Sequence, residues 1–131
     1  MKDSHSPLRA KQTLLLILLP MLGTVAVLRL YLHLVQVRHI YPGGYLVHHL
    51  FFGVAIVIPT AFVLAFGNRH RALACVALGV GAGMVLDEVV YLVATQASDA
   101  DYVSRTSWLG SMVLVALASV LLVGLYLRHR E

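Results

Sequence analysis

Four apolar runs decide what this chain can become. They extend from Thr13 to about Val37, from Tyr45 to Phe66, from about Ala72 to Ala97, and from Ser107 to Leu127. Each exceeds the roughly 20 residues that an α-helix needs to cross about 30 Å of hydrocarbon. Hydrocarbon offers a backbone amide no partner outside its own segment, so each run is expected to be helical. None alternates with period two, which argues against a membrane β-barrel. Between the runs lie breaks of the expected kind. Pro42-Gly43-Gly44 cannot continue a helix and permits a tight reversal; Gly67-Asn68-Arg69-His70-Arg71 and Ser98-Asp99-Ala100-Asp101-Tyr102 are polar. The fold expected is all-α, a four-helix transmembrane bundle in a single domain covering residues 1–131. Loops of about 5–10 residues would make successive helices antiparallel neighbours.

Composition agrees. Of 131 residues, 60% are hydrophobic and 12% charged, against about 45–50% and about 25% in soluble domains. A soluble domain, a disordered chain and a collagen-like repeat are thereby excluded. The single cysteine, Cys75, rules out an internal disulfide and any multi-cysteine metal site. A net charge of +4 would suit nucleic acid, but the basic residues sit at helix ends, where they set membrane orientation.

Lys2, Arg9, Lys11, Arg128 and Arg130 in the tails join Arg69 and Arg71 of the middle loop on one side. The other side carries Arg38 and Arg105 beside Asp99 and Asp101, with Arg29 in the adjoining helix half. The positive-inside rule then puts both termini in the cytoplasm of a cell whose inner, or plasma, membrane the chain crosses, with loops 38–44 and 98–106 outside. Tyr41, Tyr45, Tyr102 and Trp108 fall at the outer interface and Tyr126 near the inner one, as an aromatic belt requires. The first run has a signal-peptide look, with small residues at Thr24 and Ala26, but it continues to full span length and is read as retained.

Ionisable side chains within spans are costly, and each is a candidate for function. Arg29, His33 and Gln36 share one face of the first span. His48 and His49 open the second, about 5 Å below its outer start. Asp87 and Glu88 are adjacent on the third, with Tyr91 one turn later. Arg29 and the two carboxylates each lie about 24–26 Å above the inner ends of their helices. All these groups therefore reach one level, the outer third of the bilayer.

That convergence admits three readings. One is a structural ion pair of Arg29 with Asp87 or Glu88, the histidines bonding between helices in a structural, partner-binding or lipid-binding protein. Another is a Zn, Fe or Mn site on His48, His49, Asp87 and Glu88, with His33 or His39 as further ligands, in a metal-dependent enzyme at the external face. Neither an HExxH nor a paired ExxH pattern accompanies it. The last is a proton or ion relay, although the inner halves of the spans hold no charged residue to continue one. Gly79 and Gly83 form a GxxxG pair, suited to a homodimer or to packing within the monomer. Pro20 and Pro59 read as kinks and Cys75 as a packing residue.

The segments His48-His49-Leu50-Phe51-Phe52-Gly53 and Gly81-Ala82-Gly83-Met84-Val85-Leu86-Asp87-Glu88 resemble the HHxxxG and GxGxxLDE-like segments of a group of small bacterial integral membrane proteins. The resemblance implies that these residues act together and implies no reaction. The small multidrug transporters share the length and span number, but their first span carries a glutamate where this chain has Arg29.

Overall fold

The computed structural model describes residues 9–35, 47–67 and 70–129. Those residues form five helices: α1 (Ala10–Leu34), α2 (His49–Phe66), α3 (Arg71–Ala94), α4 (Asp99–Tyr102) and α5 (Arg105–His129). All but α4 are long and apolar enough to cross a membrane, and no strand occurs among the described residues.

α3 is the axis of the fold. Its Gly79-Val80-Gly81-Ala82-Gly83 stretch explains why. Residues two apart on a helix point about 200° from each other, and residues four apart share a face. Gly79 and Gly83 thus face one neighbour and Gly81 the opposite one. A Cβ on Gly79 would stand 2.3 Å from the Ile17 carbonyl oxygen, and one on Gly83 would stand 2.7 Å from that of Met21. α1 therefore lies directly on the α3 backbone and runs parallel to it. On the other side Gly81 and Gly53 approach backbone to backbone, so α2 packs antiparallel against α3. Gly110 accepts Val90 of α3, which brings α5 close. Met21, Val25 and Val115 form the buried core, flanked by Leu18, Ala82, Leu86 and Met112.

One expectation is corrected here. Among the described residues α1 and α2, successive in sequence, do not pack against each other; the α2 backbone packs along α3. The glycine stretch explains this, because it gives α3 two opposite close-approach faces and so separates α1 from α2. Of the two uses open to the Gly79–Gly83 face, packing within the monomer is the one seen, since α1 of the same chain lies against both glycines.

Helix ends shift from the sequence boundaries for local reasons. α2 begins at His49, with His48 as its N-cap, so the histidines sit at the helix start and not one turn inside it. α3 stops at Ala94, where the Thr95 hydroxyl donates to the Tyr91 carbonyl at 2.6 Å and competes with the next helical bond. Ala97 takes a left-handed backbone, φ 57°, that non-glycine residues rarely adopt. Its amide donates to Thr95 Oγ1, and its carbonyl accepts from the Tyr91 hydroxyl at 2.6 Å. The acidic loop holds one helical turn, α4, closed by a reciprocal Ser98–Asp101 cap.

Candidate functional site

Where α1 ends and α2 begins, a polar cluster joins all five helices. Its centre is Arg29, 4% exposed, against Asp87, 0% exposed. Arg29 Nε donates to Asp87 Oδ1 at 2.5 Å. Nη1 donates to the Tyr102 carbonyl at 2.9 Å and to Ser107 Oγ at 3.1 Å. Nη2 donates to the Asp87 carbonyl at 2.7 Å and to the Ser107 carbonyl at 3.5 Å. A guanidinium carries five N–H donors, and here each has an acceptor. The Tyr102 ring lies under the guanidinium at 4.4 Å and the Trp108 ring at 5.7 Å, both within cation–π range.

Asp87 is served on both oxygens. Oδ2 accepts the Tyr102 hydroxyl and contacts His49 Nε2 at 3.1 Å. Burial, reinforced by the Asp87 charge, pushes the Tyr102 hydroxyl well above its ordinary range, so it stays protonated and donates.

Glu88 does different work. Its Oε2 accepts the Leu50 amide at 2.6 Å, in the first turn of α2. Helix N-termini leave amides unbonded and carry partial positive charge. His48, the N-cap residue, makes no side-chain cap, and the carboxylate of another helix supplies one instead. Glu88 Oε1 contacts His48 Nδ1 at 2.7 Å, and Oε2 contacts His49 Nδ1 at 3.3 Å. His49 thus sets one ring nitrogen against each carboxylate. The carboxylates are nearly inaccessible, whereas the His48 and His49 side chains are 15% and 18% exposed.

Of the residues singled out from sequence, the structure brings together Arg29, His48, His49, Asp87 and Glu88. Tyr91 is buried beside them, its ring 5.9 Å from that of His48 and 5.4 Å from that of Tyr102. His33 stands apart, exposed at the end of α1. The spacing Arg29–His33 is one helical turn, but only Arg29 turns onto α3. Gln36 and His39 lie outside the described residues.

Sequence reasoning missed Tyr102 and Ser107. The sequence places Tyr102 in the interfacial belt; it is 7% exposed, because α4 folds it onto Arg29. The Ser98-x-x-Asp101 cap was the signal for that turn. Ser107, Ser111 and Val115 recur every fourth residue and form the buried face of α5, a small-residue stripe that marks close packing in membranes.

Among the described residues no three His, Cys, Asp or Glu side chains gather as a ligand set for an ion. The imidazole nitrogens facing Asp87 and Glu88 are already in hydrogen-bond contact with them. A separate open hollow, lined by Thr95, Gln96, Ser98, Asp101 and Ser104, takes in none of the cluster. There the Ser98 hydroxyl and amide hold the Asp101 carboxyl below its ordinary value. No protein-family model, curated protein or solved structure matches this chain.

Proposed function

We propose that this chain is a multi-pass protein of the inner (plasma) membrane, both termini cytoplasmic, whose polar cluster is a structural clasp at outer-leaflet level. Its role is architectural or partner- and lipid-binding rather than catalytic. The observation that carries this reading is the complete engagement of Arg29: five donors, each with an acceptor on α3, α4 or α5. A group so satisfied has nothing left for a substrate. Its removal from water is offset by bonds that tie four segments together. The likeness of the His48–Gly53 and Gly81–Glu88 segments to those small bacterial membrane proteins fits one joint role, since the first begins and the second ends in this cluster.

The alternatives fare less well. A metal enzyme would need the imidazoles and carboxylates turned toward a common ion, whereas they are turned toward each other. A transmembrane proton relay would need steps beyond the cluster, and from Asp87 back to Ala72 α3 offers no His, Asp, Glu, Lys or Arg.

Two experiments test the proposal. Chelator treatment of detergent-purified protein should leave its thermal unfolding unchanged. Stoichiometric Zn, Fe or Mn that disappears together with the fold, and is absent from a His48→Ala variant, would replace the clasp by a metal centre. For orientation, Ala100→Cys and His129→Cys are placed singly in a Cys75→Ser background. Ala100→Cys should react with a membrane-impermeant maleimide on intact cells and His129→Cys only after lysis; the opposite pattern inverts the topology.

A further inference from the structure

All of the chain's net positive charge lies at the pole opposite the clasp. On the side where α1 and α3 begin and α5 ends, the sequence holds Lys2, Arg9, Lys11, Arg69, Arg71, Arg128 and Arg130 against Asp3 and Glu131, seven basic residues to two acidic. The rest of the sequence holds Arg29, Arg38 and Arg105 against Asp87, Glu88, Asp99 and Asp101. The count takes in every charged residue of the sequence, so ion pairs within this pole leave a surplus of five positive charges.

The close approaches between helices set three of these basic residues level. Gly79 lies on Ile17 and Gly83 on Met21; each pair differs by 62 in number, and so do Arg71 and Arg9. α1 and α3 run parallel with the same rise, so Arg9 starts beside Arg71. Gly110 of α5 meets Val90 of α3, and these two run antiparallel. Eighteen residues on from Gly110 is Arg128, and eighteen back from Val90 is Ala72, next to Arg71. α1, α3 and α5 all pack on one another. Arg9 and Arg128 are exposed and Arg71 is half-buried. Arg71 directly precedes the apolar run of α3 and Arg128 directly follows that of α5, which puts them at the edge of the hydrocarbon. Setting orientation requires basic residues only within about 15–20 residues of the span ends, not level on three touching helices. Nor do the helices benefit: a cation at a helix start opposes its dipole, and neither α1 nor α3 has an acidic residue in its first turn.

We infer that Arg9, Arg71 and Arg128 form a docking surface for anionic phospholipid headgroups of the leaflet this pole faces. The depth selects the partner: a phospholipid phosphate stands at the hydrocarbon edge in any bilayer, whereas a nucleic acid or an acidic protein has to be brought to it. The charge selects among lipids, since a zwitterionic headgroup offers nothing to match the surplus. The fork of an arginine bonds phosphate oxygens bidentately, and clusters of basic residues at the ends of spans hold anionic lipids in this way. A lipid held here links α1, α3 and α5 where their like charges repel, at the end of the α1–α3 pair remote from Arg29 and Asp87. The surface shares no residue with the clasp and stands whether or not the clasp reading does.

The test is native mass spectrometry of the detergent-solubilised protein, titrated with dioleoyl-phosphatidylglycerol or with dioleoyl-phosphatidylcholine. One basic residue near an anionic surface is worth about fivefold in binding, so three together should favour phosphatidylglycerol by about 100-fold. This first readout depends on no variant. A preference below about fivefold, less than a single arginine supplies, overturns the proposal. Arg9→Gln, Arg71→Gln and Arg128→Gln should each lose about fivefold of the preference, with phosphatidylcholine binding unchanged. Arg105→Gln, exposed at the opposite pole, should keep the parent's preference; an equal loss there would mean a diffuse field and no docking surface. A large excess of inorganic phosphate should leave the lipid bound. Displacement by phosphate would make this a site for a soluble anion and overturn the lipid as its occupant.

Discussion

Replacing Arg29 with leucine should destabilise the protein by about 3–5 kcal/mol, the usual loss when one partner of a buried ion pair is removed. The loss is large because the truncation strands more than a charge. Asp87 Oδ1, the Tyr102 carbonyl and Ser107 Oγ lose the arginine's N–H groups, whereas the Asp87 and Ser107 carbonyls keep the amide four residues on in their own helices. Each of the first three sits where water cannot substitute, and each unmet buried group adds its own desolvation cost. The Tyr102 ring also loses the cation above it.

The partner is identified by a double-mutant cycle on detergent-solubilised protein. Arg29→Leu combined with Asp87→Leu should recover part of the loss, since two apolar side chains no longer leave a lone charge in the core. The same cycle with Glu88→Leu should be nearly additive, because Glu88 bonds α2 and not Arg29. Additivity in both cycles would mean that the clasp has another organiser.

The fold was largely legible in the sequence, because hydrocarbon permits few alternatives: a run of 20 apolar residues in lipid has to be a helix. Helix order was not. Loop length argued for α1 beside α2, but close approach in membranes is set by small residues, and the three glycines from 79 to 83 gave both close faces to α3. Depth matching on helices of fixed rise placed Arg29 and the α3 carboxylates at one level, and that arithmetic needs no side-chain detail. Rotation about the helix axis does need it, which is why His33 was grouped with Arg29 and yet lies outside. Tyr102 was hidden for another reason. Its position depends on a single turn of α4 and on Arg29 drawing the ring inward, and neither has a periodic signature. The division of labour between the carboxylates, Asp87 on arginine and Glu88 on a helix start, was equally out of reach: adjacent residues point about 100° apart, and only the placement of α1 and α2 on opposite sides of α3 decides which goes where.

Gly79→Val is expected to weaken the protein at a distance from the clasp and through it. The valine Cβ alone would lie 2.3 Å from the Ile17 carbonyl oxygen, where 3.4–4 Å is ordinary contact, and the obstructing atom is backbone. No rotamer relieves that, so α1 has to move off α3 by about 1 Å or more. Overpacking of this kind costs about 1–3 kcal/mol by itself. Here the displaced helix also carries Arg29, three turns further on, whose bonds to Asp87 at 2.5 and 2.7 Å tolerate little stretching. Gly83→Val, one turn before Asp87 and against Met21 and Thr24, should couple more strongly still. The control is Gly23→Ala: nothing lies within 4 Å of that Cβ, and alanine in a helix gains about 0.5–1 kcal/mol over glycine. Thermal unfolding of the three variants should therefore rank Gly23→Ala at or above the parent, Gly79→Val below it and Gly83→Val lowest. In an Arg29→Leu background the two valine variants should lose less than they do alone, since the bonds they strain are already gone. If Gly79→Val instead melts with the parent while changing the mass of the detergent-solubilised particle, the glycine face joins two chains and α1 does not lie where it is described.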